Sequence, residues 1–277
     1  MSTAEHTDRY VVIGNPIAHS KSPQIHARFA AQTSQAISYE RLLAPTGAFE
    51  SSVREFIASG GRGANVTVPF KLDAFRLADQ LSPRAQAAGA VNTLSFDNGR
   101  ILGDNTDGVG LVRDIIDGAS VSIRGKRVLL LGAGGAARGV LLPLLAEVPA
   151  ELVIANRTPE RAQELAQEFS AVSTATIEAR RFDSLSSGFD IIINATSASL
   201  SAELPPMPSS VFVKDCFVYD MMYAAQPTPF LQLASGQGAQ VRDGLGMLVE
   251  QAAESFFIWR GVRPQTAPVY QWLRSQL

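Results

Sequence analysis

The chain has 277 residues, and its 24 Lys and Arg against 26 Asp and Glu leave a net charge of −2, without the basic surplus of a nucleic-acid binder. Hydrophobic residues make up 46% and charged residues 18%, which excludes a disordered chain; at roughly 100–200 residues per domain the length predicts two cores. A single cysteine, Cys216, excludes an internal disulfide and cysteine-paired zinc, and His6, His19 and His26 have no carboxylates at ligand spacing, so no metal is expected.

Met1–Arg9 is polar and lacks the apolar core of a secretory signal. The longest uncharged stretch, Met221–Val241, carries Gln226, Pro227, Pro229, Gln232, Gly236, Gln237, Gly238 and Gln240 and cannot be a membrane helix. These features predict a cytoplasmic protein without a membrane partner.

Short β-rich runs alternate with helical stretches, the signature of βαβ units and a largely parallel sheet. Arg9–Ile13 reads as a strand, Pro23–Thr33 and Ala48–Ser59 as helices, and Ala64–Val68 as a strand stopped by Pro69. A helix over Pro83–Ala88 precedes a strand over Ala90–Phe96, which ends in the hairpin signal Asp97-Asn98-Gly99. A helix is predicted from Thr106 to about Asp117. The second half opens with Arg127–Leu131, an apolar run suited to a strand buried on both faces, and then a helix to about Val148. Glu151–Ala155, Phe189–Ile193, Phe217–Asp220 and Gln240–Arg242 read as strands, Pro159–Phe169 and Leu245–Arg260 as helices. Cys216 reads as buried packing, and His19 as a structural hydrogen-bonding residue. Gly108, Gly110, Gly244 and Gly246 read as hinge positions.

Between the Arg127–Leu131 strand and its helix stands Gly132-Ala133-Gly134-Gly135-Ala136-Ala137. In that context the first glycine permits a tight turn, the next ones let a pyrophosphate approach the backbone, and Ala136 and Ala137 allow close packing of helix on strand. The helix N-terminus attracts phosphate. A site for NAD would present a carboxylate about 20 residues on, to bind the ribose 2′-hydroxyl. This chain has Asn156-Arg157-Thr158 there, with Arg161 one turn later. Two guanidiniums and a hydroxyl suit a 2′-phosphate, so the cofactor expected is NADP(H). A plain βα turn with a solvated basic face is the bland alternative.

Four polar clusters stand at strand ends or before helices: Gly14–Pro23, Asn65–Lys71, Gly89–Thr93 and Gly103–Gly108. Any one is explained by turns and caps. Together they line the strand ends where α/β sheets bind ligands, and they suit a hydroxylated, anionic small molecule.

The motifs GNPIAHSKSP (14–23), NVTVPFK (65–71), AGAVNT (88–93), GDNTDG (103–108), GAGGAARG (132–139), NRT (156–158), NATS (194–197), YDMMY (219–223), TPF (228–230) and DGLGMLVEQAAESFFIW (243–259) together resemble the shikimate dehydrogenase family over nearly the whole chain. The resemblance implies a two-domain α/β fold. An N-terminal substrate domain with a mainly parallel sheet (1–106 and 244–277, the C-terminal helices returning to it) joins a Rossmann-type NADP-binding domain (107–243). It implies reversible reduction of 3-dehydroshikimate to shikimate by NADPH, in a monomer or homodimer. Ser20 and Ser22, with Tyr223, are implied donors to the substrate carboxylate; Asn65, Thr67, Asn92 and Gln251 are implied partners of ring hydroxyls. Lys71 and Asp107 are the implied catalytic pair. Ketone reduction builds negative charge on the carbonyl oxygen, so a cation that also donates a proton lowers the barrier, and Asp107 can orient it. Thr196, Ser197, Met221, Gly244 and Met247 are implied to line the nicotinamide. The chain departs from the NATS pattern at Ala198-Ser199-Leu200, where the family commonly has a glycine.

Three other readings compete: a quinate/shikimate dehydrogenase paralogue, a non-catalytic ligand sensor, and another two-domain NADP enzyme. A sensor could lose Lys71 or Asp107, and the third would need a different first domain; this chain keeps both residues and all four polar clusters.

Overall fold

The structure is a computed structural model and describes residues 7–186, 188–196 and 204–277. The chain divides into two compact units, one of residues 1–107 with Val249–Val269, the other of Gly108–Leu248 with Tyr270–Leu277.

The first unit runs β1 (Asp8–Gly14), α1 (Ser22–Thr33), β2 (Ile37–Leu43), α2 (Phe49–Ala58), β3 (Gly61–Val66), α3 (Lys71–Leu77), β4 (Gln80–Leu81), α4 (Pro83–Ala88), β5 (Thr93–Asp97) and β6 (Arg100–Asp104). Its sheet has the order β2-β1-β3-β5-β6-β4. Only β5 runs against its neighbours, pairing antiparallel with β3 (Asn65 opposite Thr93) and with β6 (Thr93 opposite Asp104). The β5–β6 connection is the predicted Asp97-Asn98-Gly99 turn, with Asn98 and Gly99 at positive φ, as tight hairpins require. The core under the sheet includes Val11, Ile13, Phe49, Val53, Phe56, Phe70 and Leu94. An aromatic cluster of Tyr10, His26, Phe29, Tyr39, Phe256 and Trp259 forms a second centre.

The second unit contains α5 (Asp107–Arg113, from Gly108 on), β7 (Arg127–Leu131), α6 (Gly135–Ala146), β8 (Glu151–Asn156), α7 (Pro159–Ser170), β9 (Thr176–Arg181), β10 (Ile191–Asn194), β11 (Phe217–Asp220), α8 (Pro229–Gly236) and β12 (Gln240–Asp243). All six strands are parallel in the order β12-β11-β10-β7-β8-β9. That is the doubly wound arrangement, whose order reverses between β7 and β10 and opens a ligand crevice at the carboxyl ends of those strands. Val128–Leu131 are fully buried, as strands covered on both faces must be. Cys216 is buried in this core, as expected. Helices α9 (Leu245–Arg260) and α10 (Ala267–Arg274) complete the chain.

Several expectations need correction. Edge strands β2 and β9 escape the sequence reading because neither shows a clean buried face. The strand expected over Ala90–Phe96 begins only at Thr93, since Val91 N–H donates to the Lys71 carbonyl and Asn92 N–H to that of Asp104. The helix expected to reach Asp117 becomes a π-helical turn at Asp114–Gly118, where Asp114 turns into the interior. Three of the supposed hinge glycines are close-approach positions. A Cβ at Gly108 would lie 2.5 Å from the Gly139 carbonyl oxygen, one at Gly244 would meet the Met221 carbonyl, and one at Gly246 would fall inside the Asp114 carboxylate. No helix among the described residues is long and apolar enough to cross a membrane, and none of those residues form a group able to hold a metal.

Candidate active site

In the first unit the reversed direction of β5 decides which residues meet. Its first residues lie beside the last residues of β3 and β6, so Asn65, Asn92 and Thr106–Asp107 converge although far apart in sequence. Lys71, the first residue of α3, donates from Nζ to Asp107 Oδ2 at 2.6 Å. Both side chains remain partly open, 33% and 24% exposed, so the pair is accessible to a ligand. Asn92 Nδ2 donates to Asp107 Oδ1 at 2.8 Å and to Thr106 Oγ1 at 3.0 Å, while its Oδ1 accepts from Thr106 N at 2.9 Å. The Asp107 backbone N–H donates to Asn105 Oδ1 at 3.1 Å. Asp107 is therefore held on both sides, with Lys71 across its free edge.

Asn65 lies behind this pair. Its Nδ2 faces Asn92 O (3.2 Å), Thr93 Oγ1 (3.2 Å) and Ser255 Oγ of α9 (2.9 Å), and its Oδ1 accepts from the Tyr39 hydroxyl at 2.7 Å. Thr106 Oγ1 lies 3.4 Å from Gln251 Oε1, which brings Gln251 to the same polar cluster. Thr67, just past β3, sits under Gly14, where a Cβ would meet its methyl at 2.6 Å.

Ser20 and Ser22 stand at the start of α1, the Ser22 N–H donating to Ser20 Oγ at 3.3 Å. Arg41, from the unpredicted strand β2, donates from Nε and Nη2 to the Ser20 carbonyl at 3.1 and 2.6 Å. His19 is exposed and makes no hydrogen bond among the described residues, so it is not the structural residue expected. The buried histidine is His26, which the sequence reading passed over. It stacks on Tyr39 at 4.1 Å and 6°, and burial pulls its pKa down to about 3. The Asn65 side chain, outside aligned hydrogen-bonding geometry, offsets that only in part. Tyr39 and Arg41 carry a weak sequence signal, the alternation Ile37, Tyr39, Arg41, Leu43.

In the second unit Gly132 ends β7 at φ +108°, and a Cβ there would press on Ala195 and Thr196 at 3.3 Å. Gly134 caps α6 with no side-chain hydrogen bond, which leaves the first N–H groups of that helix open to an anion. A Cβ at Gly134 or Gly135 would meet nothing within 4 Å, so what these glycines keep clear is space outside the protein. Ala137 is fully buried against the strand, but Ala136 is exposed, which corrects the packing role expected of it. Ala133 is half-buried within the loop. Arg157 and Arg161 are exposed and have no ion-pair partner among the described residues. Nearby Arg138, by contrast, is bound bidentately by Glu168. Asn156 Nδ2 donates to the Thr158 carbonyl at 2.9 Å and shapes the turn that presents the arginines.

At the ends of β10, β11 and β12, Thr196 Oγ1 donates to Asn194 Oδ1 at 2.7 Å, and Met221 N–H donates to the Asn194 carbonyl at 3.0 Å. Gly244 N–H donates to the Met222 carbonyl at 3.1 Å, and Met247 N–H reaches the Tyr219 hydroxyl at 3.3 Å. That hydroxyl donates to Asp114 Oδ2 at 2.7 Å, and Arg242 grips the same carboxylate at 2.9 and 2.5 Å. Burial and then the Asp114 charge raise the Tyr219 pKa well above its ordinary value, so the phenol remains a donor. Tyr223, also in this unit, has its pKa raised by burial and then by the Asp243 charge. Ser197 and the departure at Ala198-Ser199-Leu200 lie outside the described residues.

Residues 12–94 match the family model described as the shikimate dehydrogenase substrate binding domain, 112–202 that of shikimate / quinate 5-dehydrogenase, and 244–274 that of the shikimate 5'-dehydrogenase C-terminal domain. Shikimate dehydrogenase (NADP(+)) from Janthinobacterium sp. (strain Marseille) is 64% identical over 98% of both chains. Shikimate 5-dehydrogenase from Thermus thermophilus, solved with NADP(H) and shikimate, has a TM-score of 0.86 at 32% identity, covering 98% of this chain and 100% of that one. The ligand-free 5-ketofructose reductase of Gluconobacter sp. strain CHM43 shares the fold at a TM-score of 0.89 and 29% identity, covering 99% and 100%. With identity of this extent running through both units, the chain belongs to the shikimate dehydrogenase family.

Proposed function

We propose that this chain catalyses the reversible reduction of 3-dehydroshikimate to shikimate with NADPH, the first unit binding the acid and the second the cofactor. The observation that carries the reading is the Lys71–Asp107 pair, half-open and fixed by Asn92 at the strand ends of the first unit. Lys71 Nζ has the reach and the hydrogens to donate a proton to a carbonyl oxygen as charge develops there, and to accept one from the alcohol in reverse. Asp107 keeps that ammonium in place and offers its remaining lone pairs to a neighbouring hydroxyl. Ser20 and Ser22 bind the carboxylate, while Asn65, Thr67, Asn92 and Gln251 address the ring hydroxyls.

The residues of the second unit fit NADP(H). Gly132, Ala133, Gly134, Gly135 and Ala136 with the open end of α6 suit a pyrophosphate, and Asn156, Arg157, Thr158 and Arg161 suit a 2′-phosphate. Thr196, Ser197, Met221, Gly244 and Met247 are assigned to the nicotinamide end. When bound, the nicotinamide supplies or accepts the hydride.

The test is spectrophotometric. Purified protein with shikimate and NADP+ should generate the absorbance of reduced nicotinamide, and absence of turnover would overturn the assignment. Because one matched family model covers shikimate and quinate enzymes together, quinate belongs in the same assay with both cofactors. Turnover of quinate comparable to that of shikimate would favour the broader paralogue.

A further inference from the structure

We propose that Tyr39 is a positioning residue for the substrate, its hydroxyl holding the Asn65 amide with the carbonyl oxygen turned toward a ring hydroxyl. This rests on the reading of Asn65 as a substrate-binding residue, and extends it by assigning which end of the amide does the binding.

A primary amide has two hydrogens and two acceptor lone pairs, and its two orientations are nearly identical in shape. The neighbours decide between them. Ser255 Oγ donates to the Gln251 carbonyl at 3.1 Å, so toward Asn65 that oxygen is an acceptor. Asn92 O is an acceptor by nature. Both therefore draw the Asn65 NH2, at 2.9 and 3.2 Å, with Thr93 Oγ1 at 3.2 Å beside them. The two hydrogens are spent. On the other side Tyr39 donates to Oδ1 at 2.7 Å, and the second carbonyl lone pair, with His26 beside it but outside aligned geometry, makes no aligned hydrogen bond. The free capacity of Asn65 is an acceptor, suited to a hydroxyl and unsuited to a ketone or a carboxylate.

Tyr39 is built to hold this orientation. Its half-buried ring is fixed against His26 at 4.1 Å and 6° and lies 6.3 Å from Trp259, while strand β2 anchors its backbone opposite Tyr10. Burial keeps the phenol protonated well beyond its ordinary range, so it is a permanent donor. The nearby Ser22 side chain pulls that shift back only in part.

Tyr39→Phe removes the hydroxyl and keeps the stacked ring. The expected result is a KM for shikimate raised about tenfold, with the KM for NADP+ unchanged. The discriminating measurement is kcat/KM across shikimate analogues that each lack one ring hydroxyl. In the wild type the analogue missing the Asn65-bound hydroxyl loses that contact; in Tyr39→Phe this penalty should shrink for that analogue alone, and in an Asn65→Ala background the effect of Tyr39→Phe should vanish. An equal loss for every analogue, a wild-type KM in Tyr39→Phe, or an undiminished effect in the Asn65→Ala background would overturn the proposal. A wild-type protein that fails to turn over shikimate would overturn the functional reading instead.

Discussion

Lys71 and Asp107 stand 36 residues apart in sequence and 2.6 Å apart in space, the ammonium on one carboxylate oxygen and the Asn92 amide on the other. With one oxygen reserved for each neighbour, Asp107 cannot rotate without losing a bond, and the proton donor is aimed before a ligand arrives. Lys71→Ala should therefore lower kcat by ~10²–10⁴-fold. The melting temperature and NADPH affinity should stay near wild type. Near-normal turnover in that variant would remove Lys71 from the mechanism.

Arg157 and Arg161 should separate the two nicotinamide cofactors. Replacing both with Ala should raise the KM for NADPH by about 10–100-fold, the value of one or two charge-assisted bonds, and leave that for NADH almost unchanged. Parallel steady-state titrations with the two cofactors decide it, and an equal rise in both would show that the pair does not read the 2′-phosphate.

The Asp114 carboxylate, 3% exposed, is shared by Arg242 and the Tyr219 hydroxyl. Removing one partner of a buried ion pair leaves the other uncompensated, so Asp114→Ala should cost about 3–5 kcal/mol in urea denaturation. Tyr219→Phe should cost only about 1 kcal/mol, since it deletes a single hydrogen bond. Gly246→Ala, whose Cβ must displace the same carboxylate, should fall between them. A stable Asp114→Ala variant would show that the cluster tolerates an unpaired Arg242.

His26 makes stability sensitive to acid. Its pKa is about 3 in the folded chain against an ordinary 6.5, so between those values the unfolded chain carries a proton that the folded chain refuses. The unfolded state then binds more protons, and stability falls as the pH drops from 6.5 toward 3. A His26→Phe variant should lose up to ~1.4 kcal/mol per pH unit of that slope. Urea midpoints compared across the window measure it; identical slopes would assign the acid sensitivity to other groups.

What the sequence makes legible is what local chemistry dictates. Arg127–Leu131 and Pro83–Ala88 fall where expected, because an unbroken apolar run and a proline after a capping Ser82 each determine their own boundaries. The glycine loop is equally local. Strands β2 and β9 are not, since edge strands are half-exposed and resemble loops in composition. Tyr39 and Arg41 were hidden with β2. The Lys71–Asp107 pairing depends on β5 running against its neighbours, a fact of sheet order that no window of sequence contains; resemblance brought the two together where periodicity could not.

The interleaving of the two units sets the order in which the protein can be made. Ser255, which takes an Asn65 hydrogen, and Trp259, which stacks on Tyr10, leave the ribosome only after the whole of Gly108–Leu248. The second unit waits as well, because Arg274 binds Asp243 and Tyr270 lies under the Arg242 guanidinium. The first unit lacks residues until Val269 is made, and the second until Tyr270 and Arg274 follow. A chain cut within 249–269 therefore lacks residues of both units, and one cut just beyond Val269 lacks residues of the second unit alone.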